Sequence, residues 1–407
     1  GYTGNRTWTN PRVASSKALT AEALAVGAIR SGFQWTAEHQ QRLDTAWKQL
    51  LIAEHHDTLI CAIYDEGRDF TLPSEQLSGA LAKEVATYLA QQTEAEGPSV
   101  FVFNPTAHPR TEKVALSDGR ILVAKDVPVL GYKVFSTEEA VQTTASQSDQ
   151  LKLETDRYTV EWAPTGGLTR LFDKQLEKEL VAPGVRTGTL SGVIDRDWAY
   201  SQGSVKLTAA GPDYWEVVEQ GRVGVVGYKL TYSFTEGDPK IGLAVGLDVP
   251  AGTRIGCPDK GETPQERRSY RAHKHDEKLR YSLATTLADP KYAGDYVWGR
   301  SYPAKVRHLP LVISELPVKT VDIDANMWAS LEQDNLGLAI ANRGSSGYRA
   351  VGGTLELILA YSGEYVWGDN FLTGAWNQEF ALIPYAGKTD RPRSEEHTSE
   401  LQSRQVI

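Results

Sequence analysis

The tripeptide His55-His56-Asp57 holds the residue types that a hydrolytic or metal site needs, two imidazoles beside a carboxylate. The spacing predicts that it sits late in a helix, where consecutive residues point about 100° apart, so the two histidines cannot share one face. His56 has Ile52, Leu59, Ile60 and Ile63 around it at helical intervals, which places it on an apolar stripe. An imidazole there is either hydrogen-bonded within a core or bound to a metal, and the spacing leaves both readings open. A zinc site takes three or four ligands, so any partners of His56 come from elsewhere.

Other candidates carry less. His273-Lys274-His275 would point both imidazoles one way on a strand, but Arg267, Arg268 and Lys278 around it read as a solvated loop. Asp322-Ile323-Asp324-Ala325-Asn326 opens like a calcium loop, yet Met327 stands where glycine is needed and Gln333 where the bidentate glutamate belongs. The glycines of Gly221–Gly227 lack phosphate-loop spacing. Cys61 has no basic neighbour to activate a thiolate and reads as core. Asn5-Arg6-Thr7 is a glycosylation sequon only in a secreted protein.

The elements that must position these residues change character along the chain. Residues 1–96 read as a three-helix bundle. Ser16 is a candidate cap for a stretch through Leu19, Ala23, Val26 and Ile29. Thr36 caps a second, with Leu43, Trp47, Leu50 and Leu51 on one side, and Pro73-Ser74-Glu75 opens a third through Leu77, Leu81, Val85 and Leu89. Residues 97–136 read as a small β region, beginning Ser99-Val100-Phe101-Val102-Phe103, and the Ser/Thr/Gln-rich 137–150 as a linker. Short strands separated by glycine turns fill 151–388 and predict a large, mainly antiparallel sandwich, making the whole an α+β multidomain chain. Residues 389–407 are expected to be non-native, because 393–403 reads like a translated sequencing adapter; the natural protein would then end beyond this piece, whose own residues stop near Lys388.

Composition narrows the classes. Lys+Arg 43 against Asp+Glu 52 gives −9, which argues against non-specific nucleic-acid binding. No apolar run approaches the ~20 residues that span a bilayer, so no membrane partner is expected. The two cysteines, Cys61 and Cys257, build no disulfide framework and lean towards a reducing, cytoplasmic setting. Oligomeric state is left open. Ten Trp, 18 Tyr and nine Phe suit either sugar stacking or a large β core.

Several segments, in order, resemble glycoside hydrolase family 38, the zinc-dependent α-mannosidases. They are Gly1-Tyr2-Thr3-Gly4-Asn5-Arg6, Ala53-Glu54-His55-His56-Asp57, Phe101-Val102-Phe103-Asn104-Pro105 with Pro109-Arg110, and Val127-Pro128-Val129-Leu130-Gly131-Tyr132. Leu153-Glu154 through Gly166-Gly167-Leu168-Thr169-Arg170-Leu171-Phe172-Asp173-Lys174 and Gly337–Gly344 follow. The resemblance implies a retaining hydrolase with two carboxylates and a covalent glycosyl-enzyme intermediate. It assigns a zinc ligand to His56 and a substrate contact to Asp57. It places the other zinc ligands, the nucleophile and the acid/base in a catalytic barrel preceding Gly1, so no catalytic residue is expected in this chain and the chain alone is expected to be inactive. Thr58-Leu59-Ile60-Cys61-Ala62-Ile63-Tyr64 departs from the tryptophan- and proline-containing run of bacterial relatives. That keeps a mannosylglycerate or other mannosyl-conjugate hydrolase open as an alternative. From another class, a non-catalytic carbohydrate-binding β protein is the rival.

Overall fold

A computed structural model of the chain describes residues 11–55, 66–142, 151–256, 277–294, 320–325, 328–343, 347–361, 364–365, 368–369 and 373–387. The readings of His56, Asp57, Cys61, Cys257, His273, His275 and the 389–407 tail fall outside these residues.

Three helices come first: α1, Pro11–Arg30; α2, Ala37–Ala53; and α3, Glu66–Gln91. Thr36 caps α2 as expected, in a capping box whose second member is His39. Three expectations fail. Ser16 does not start α1 but lies inside it, buried, and the helix packs through Ala14, Ala18, Ala21, Leu24, Ala25 and Ala28. The predicted stripe faces outward instead, with Leu19, Val26 and Ile29 about half exposed at 50%, 55% and 47%. Alanines permit close backbone approach, and that outweighs the pull of the larger side chains. Pro73 likewise sits within α3 rather than opening it. Burial of Leu81, Val85 and Leu89 further along carries the helix through its lost hydrogen bond.

Two small two-stranded sheets follow, Ser99–Asn104 with Gly131–Ser136 and, between them in the chain, the hairpin of Arg110–Ala115 with Ile121–Val127. Phe101 joins the bundle's core, and Phe103 and Val134 pack against it, so the first β sheet is seated on the helices. Ala140 belongs to the core of the small β region and Val141 bridges Ile121, so its packing continues past Ser136.

The rest is antiparallel. One sheet has eight strands in the order Gln202–Ala210, Tyr214–Val223, Val226–Thr235, Ile241–Val249, Gly374–Ala386, Leu336–Asn342, Trp328–Gln333 and Lys291–Gly294. The other has six: Asp197–Tyr200, Thr189–Ile194, Leu279–Ala284, Thr354–Ala360, Gly347–Val351 and Thr320–Asp324. Alternating residues of both, such as Leu230, Tyr232 and Leu243 against Leu190, Tyr281 and Leu357, meet in one core. A four-stranded sheet, Lys152–Glu154 to Lys178–Glu179, adds Tyr158, Trp162 and Leu171 to it. The α+β architecture of bundle, small β region and antiparallel sandwich is therefore present. No helix among the described residues is long and apolar enough to cross a membrane.

Candidate functional site

The helix that leads to the histidine pair is fixed from its start. Thr36 Oγ1 accepts from the His39 backbone N–H, and His39 Nδ1 accepts from the Thr36 N–H at 3.0 Å. The other ring nitrogen, Nε2, lies 2.9 Å from Glu84 of α3, and Arg42 donates to the same carboxylate at 2.7 Å. Arg42, and after it His39, hold the Glu84 carboxyl below its usual range. On the other side Trp47 Nε1 donates to Glu22 of α1 at 2.7 Å. These ties set α2 between α1 and α3.

The helix then stops short of the tripeptide. Glu54 is its C-cap, donating to Leu50, and the His55 N–H reaches only Ile52 at 3.2 Å. His55 is exposed, and so are Leu51 and Ile52 before it, at 64% and 44%. Helix α2 therefore ends before His55, and the stripe inferred for His56 lies outside the described residues apart from Ile52, which is exposed. With Leu19, Val26 and Ile29, Leu51 and Ile52 leave part of the bundle's apolar surface uncovered. Among the described residues no three His, Cys, Asp or Glu side chains gather as a metal site. The Asp322-Ile323-Asp324 segment forms a strand rather than a calcium loop.

The resemblance motifs have physical roles in the sandwich. Asp173 is fully buried; it accepts from Arg157 Nε and Nη2 at 3.0 and 2.9 Å and from the Gln175 and Leu176 backbone, which folds the turn after Leu168–Asp173. Gly166 and Gly167 have φ of 88° and 82° and pack on Glu219, which accepts from the Gly167 N–H at 2.7 Å and from Tyr228 at 2.7 Å. Arg186, held by Thr165 Oγ1 and Ser201 O, lies near enough to offset its charge partly. Burial nevertheless pushes the Glu219 carboxyl above its ordinary value. Asn104 ties the small β region together, donating to His108 O and Val127 O while accepting from Thr106.

Sequence reasoning missed two features of the six-stranded sheet. Trp198 and Tyr200 lie exposed on an edge strand, and under Trp198 the buried Arg280 and Glu356 form a chain of charges with Arg349. The only local signal was an aromatic pair two residues apart behind the Asp195-Arg196 turn.

This architecture is found in solved glycosidases. It is similar to an α-mannosidase from Enterococcus faecalis, with TM-score 0.69 and 12% identity over 98% of this chain and 57% of that one. It is also similar to a glycosyl hydrolase family 38 protein from the same organism, with TM-score 0.70 and 12% identity over 98% of this chain and 59% of that one. The chain thus spans less than two thirds of the length of either. No protein-family profile matches the sequence, and no curated protein does. The fold is that of the helical and β part of family 38 glycoside hydrolase structures.

Proposed function

We propose that this chain is the helical and β portion of a zinc-dependent retaining α-mannosidase that removes terminal α-mannosyl groups. The observation that carries the reading is that 98% of the chain superposes on family 38 folds, in a sequence whose ordered motifs resemble the same family. In this reading His56 holds the metal through an imidazole nitrogen, and Asp57 accepts a hydrogen bond from a substrate hydroxyl. One imidazole and one neighbouring carboxylate are a partial donor set, so this reading needs further zinc ligands, and the family resemblance assigns these and both catalytic carboxylates to a separate barrel domain. Zinc, when bound, supplies a Lewis acid that grips vicinal hydroxyls of the mannose.

The test uses the whole protein, with the sequence upstream of Gly1 recovered. It is expected to hydrolyse an aryl α-mannoside, and His56→Ala is expected to lose most bound zinc as measured by atomic emission. Full zinc occupancy in that variant would refute the ligand assignment. The departure at Thr58–Tyr64 leaves substrate preference open, with a mannosyl conjugate as the second reading, and faster turnover of mannosylglycerate than of the aryl mannoside would select it. The 407-residue chain alone is expected to turn over neither.

A further inference from the structure

The hairpin made by Thr189–Ile194 and Asp197–Tyr200 forms the outer edge of the six-stranded sheet. Its turn residues Asp195 and Arg196 both have positive φ, 48° and 83°, the turn whose twist suits a two-residue hairpin. The hairpin is pinned along its length. The Asp195 N–H donates to Arg254 O at 2.8 Å, the Arg254 N–H returns to Asp195 Oδ1 at 2.8 Å, and the Gly256 N–H donates to Val193 O at 2.7 Å. Ala199 faces inward onto the Gly224 turn, where an added Cβ would lie 3.4 Å from its own.

Trp198 and Tyr200 project to the opposite side from Ala199. Alternate residues of a strand share a face and stand roughly 6.6 Å apart, so the two rings lie side by side. They are 49% and 64% exposed, and every other described tryptophan is more buried. Edge strands commonly carry charges, which discourage pairing with other chains; two bare rings on a rigid edge add little to the core. Arg280 reaches across the intervening strand, its guanidinium 5.3 Å from the Trp198 ring centroid. That cation is itself fixed: its Nε donates to Glu356 at 2.9 Å, and Glu356 also accepts from Ser282 and Arg349, each at 3.1 Å. The Trp198 ring therefore rests on an anchored base, so little ordering remains to oppose binding.

We infer that Trp198 and Tyr200 form a stacking platform for a neutral oligosaccharide. One face of a pyranose is lined by C–H bonds, and hydroxyls ring its rim. Two aromatic faces flanked by Asp195, Arg196 and Asp197 match that division, apolar at the centre and hydrogen-bonding at the edge. A protein partner needs roughly 800 Å² from each side, far beyond two rings bordered by exposed charges. A polynucleotide would meet Asp195 and Asp197 on a chain of net charge −9. Mannose-containing chains are the ligand class, a choice that rests on the mannosidase reading.

Calorimetric titration of the 407-residue chain with mannotriose, and in parallel with maltotriose, tests the platform. Mannotriose is expected to bind; Trp198→Ala weakens it by about tenfold or more, and Trp198→Phe retains most of the affinity. Both variants keep the parental thermal midpoint, since the ring is outside the core. The inference is overturned when the parent binds neither sugar, or when Trp198→Ala with an unchanged circular dichroism spectrum binds as the parent does. It is equally overturned when sedimentation shows Trp198-dependent self-association in place of sugar binding. Maltotriose binding without mannotriose binding upholds the platform and refutes its link to mannose. Failure of the platform leaves the hydrolysis test of the whole protein unaffected.

Discussion

At Gly166 the chain has no room for a side chain. An added Cβ would lie within 2.4 Å of Glu219 Oε1, which this structure already places on Tyr228, and the φ of 88° strains any residue but glycine. Gly166→Ala is expected to destabilise the chain by about 2–4 kcal/mol, read as a lower urea midpoint with an unchanged slope. Glu219 itself gives a pH signature. Its carboxyl pKa is raised in the fold, so the native state binds the proton more tightly than the unfolded chain. That stabilisation is full below the ordinary value of 4.5 and is lost as pH rises through the raised one. Glu219→Gln should flatten urea-midpoint profiles in that window; an identical slope in parent and variant would rule the assignment out. Neither residue announces this in the sequence, because Gly167 and Glu219 are 52 positions apart and meet only when two sheets pack.

Strands were the most legible elements. Tyr158–Trp162 and Thr354–Ala360 fall in the region read as short strands and glycine turns, although both are buried at nearly every position, so a period of two does not mark one buried side. Helices were harder. The existence of three followed from periodicity, but the buried face of α1 did not, since its contacts are alanines that weigh little in any hydrophobic pattern. The stop of α2 at Ala53 was hidden too, as apolar residues continue at helical spacing beyond it. The N-terminus of α2 was legible through Thr36, and its capping box makes a clear forecast. Thr36→Ala should cost about 1 kcal/mol and raise hydrogen exchange in the first turn of α2, leaving α3 protected. The candidate site was legible only as residue types at His55-His56-Asp57, because the groups that would complete it depend on chain outside this sequence pattern.

Across the molecule, the small β region is clamped to the sandwich by both charge and apolar contact. Lys125 reaches Asp213 and Glu236 at 3.2 and 2.7 Å, and Lys240 reaches Glu112 at 2.9 Å. Between them Tyr214 packs with Ile121 and Ala209, and Lys113 donates to its hydroxyl at 2.7 Å. The exposed Lys125 pairs contribute little, so the buried ring and the more enclosed Lys240–Glu112 pair hold this joint. Tyr214→Ala is expected to cost about 3 kcal/mol and to raise exchange selectively in Arg110–Ala115 and Ile121–Val127. A uniform rise that includes Ile241–Val249 would show that the joint is not a separate unit.

The eight-stranded sheet also dictates an order of events during synthesis. Its strand Gly374–Ala386 lies in the middle, hydrogen-bonded to Ile241–Val249 on one side and Leu336–Asn342 on the other. A ribosome adding about 5–20 residues per second leaves Ile241–Val249 without that neighbour for many seconds. Until the late strand emerges, the sheet exists as two halves, each with an open apolar edge facing the other. Those edges can pair with nascent chains nearby, so shielding them until Gly374–Ala386 arrives guards the protein against aggregation during synthesis.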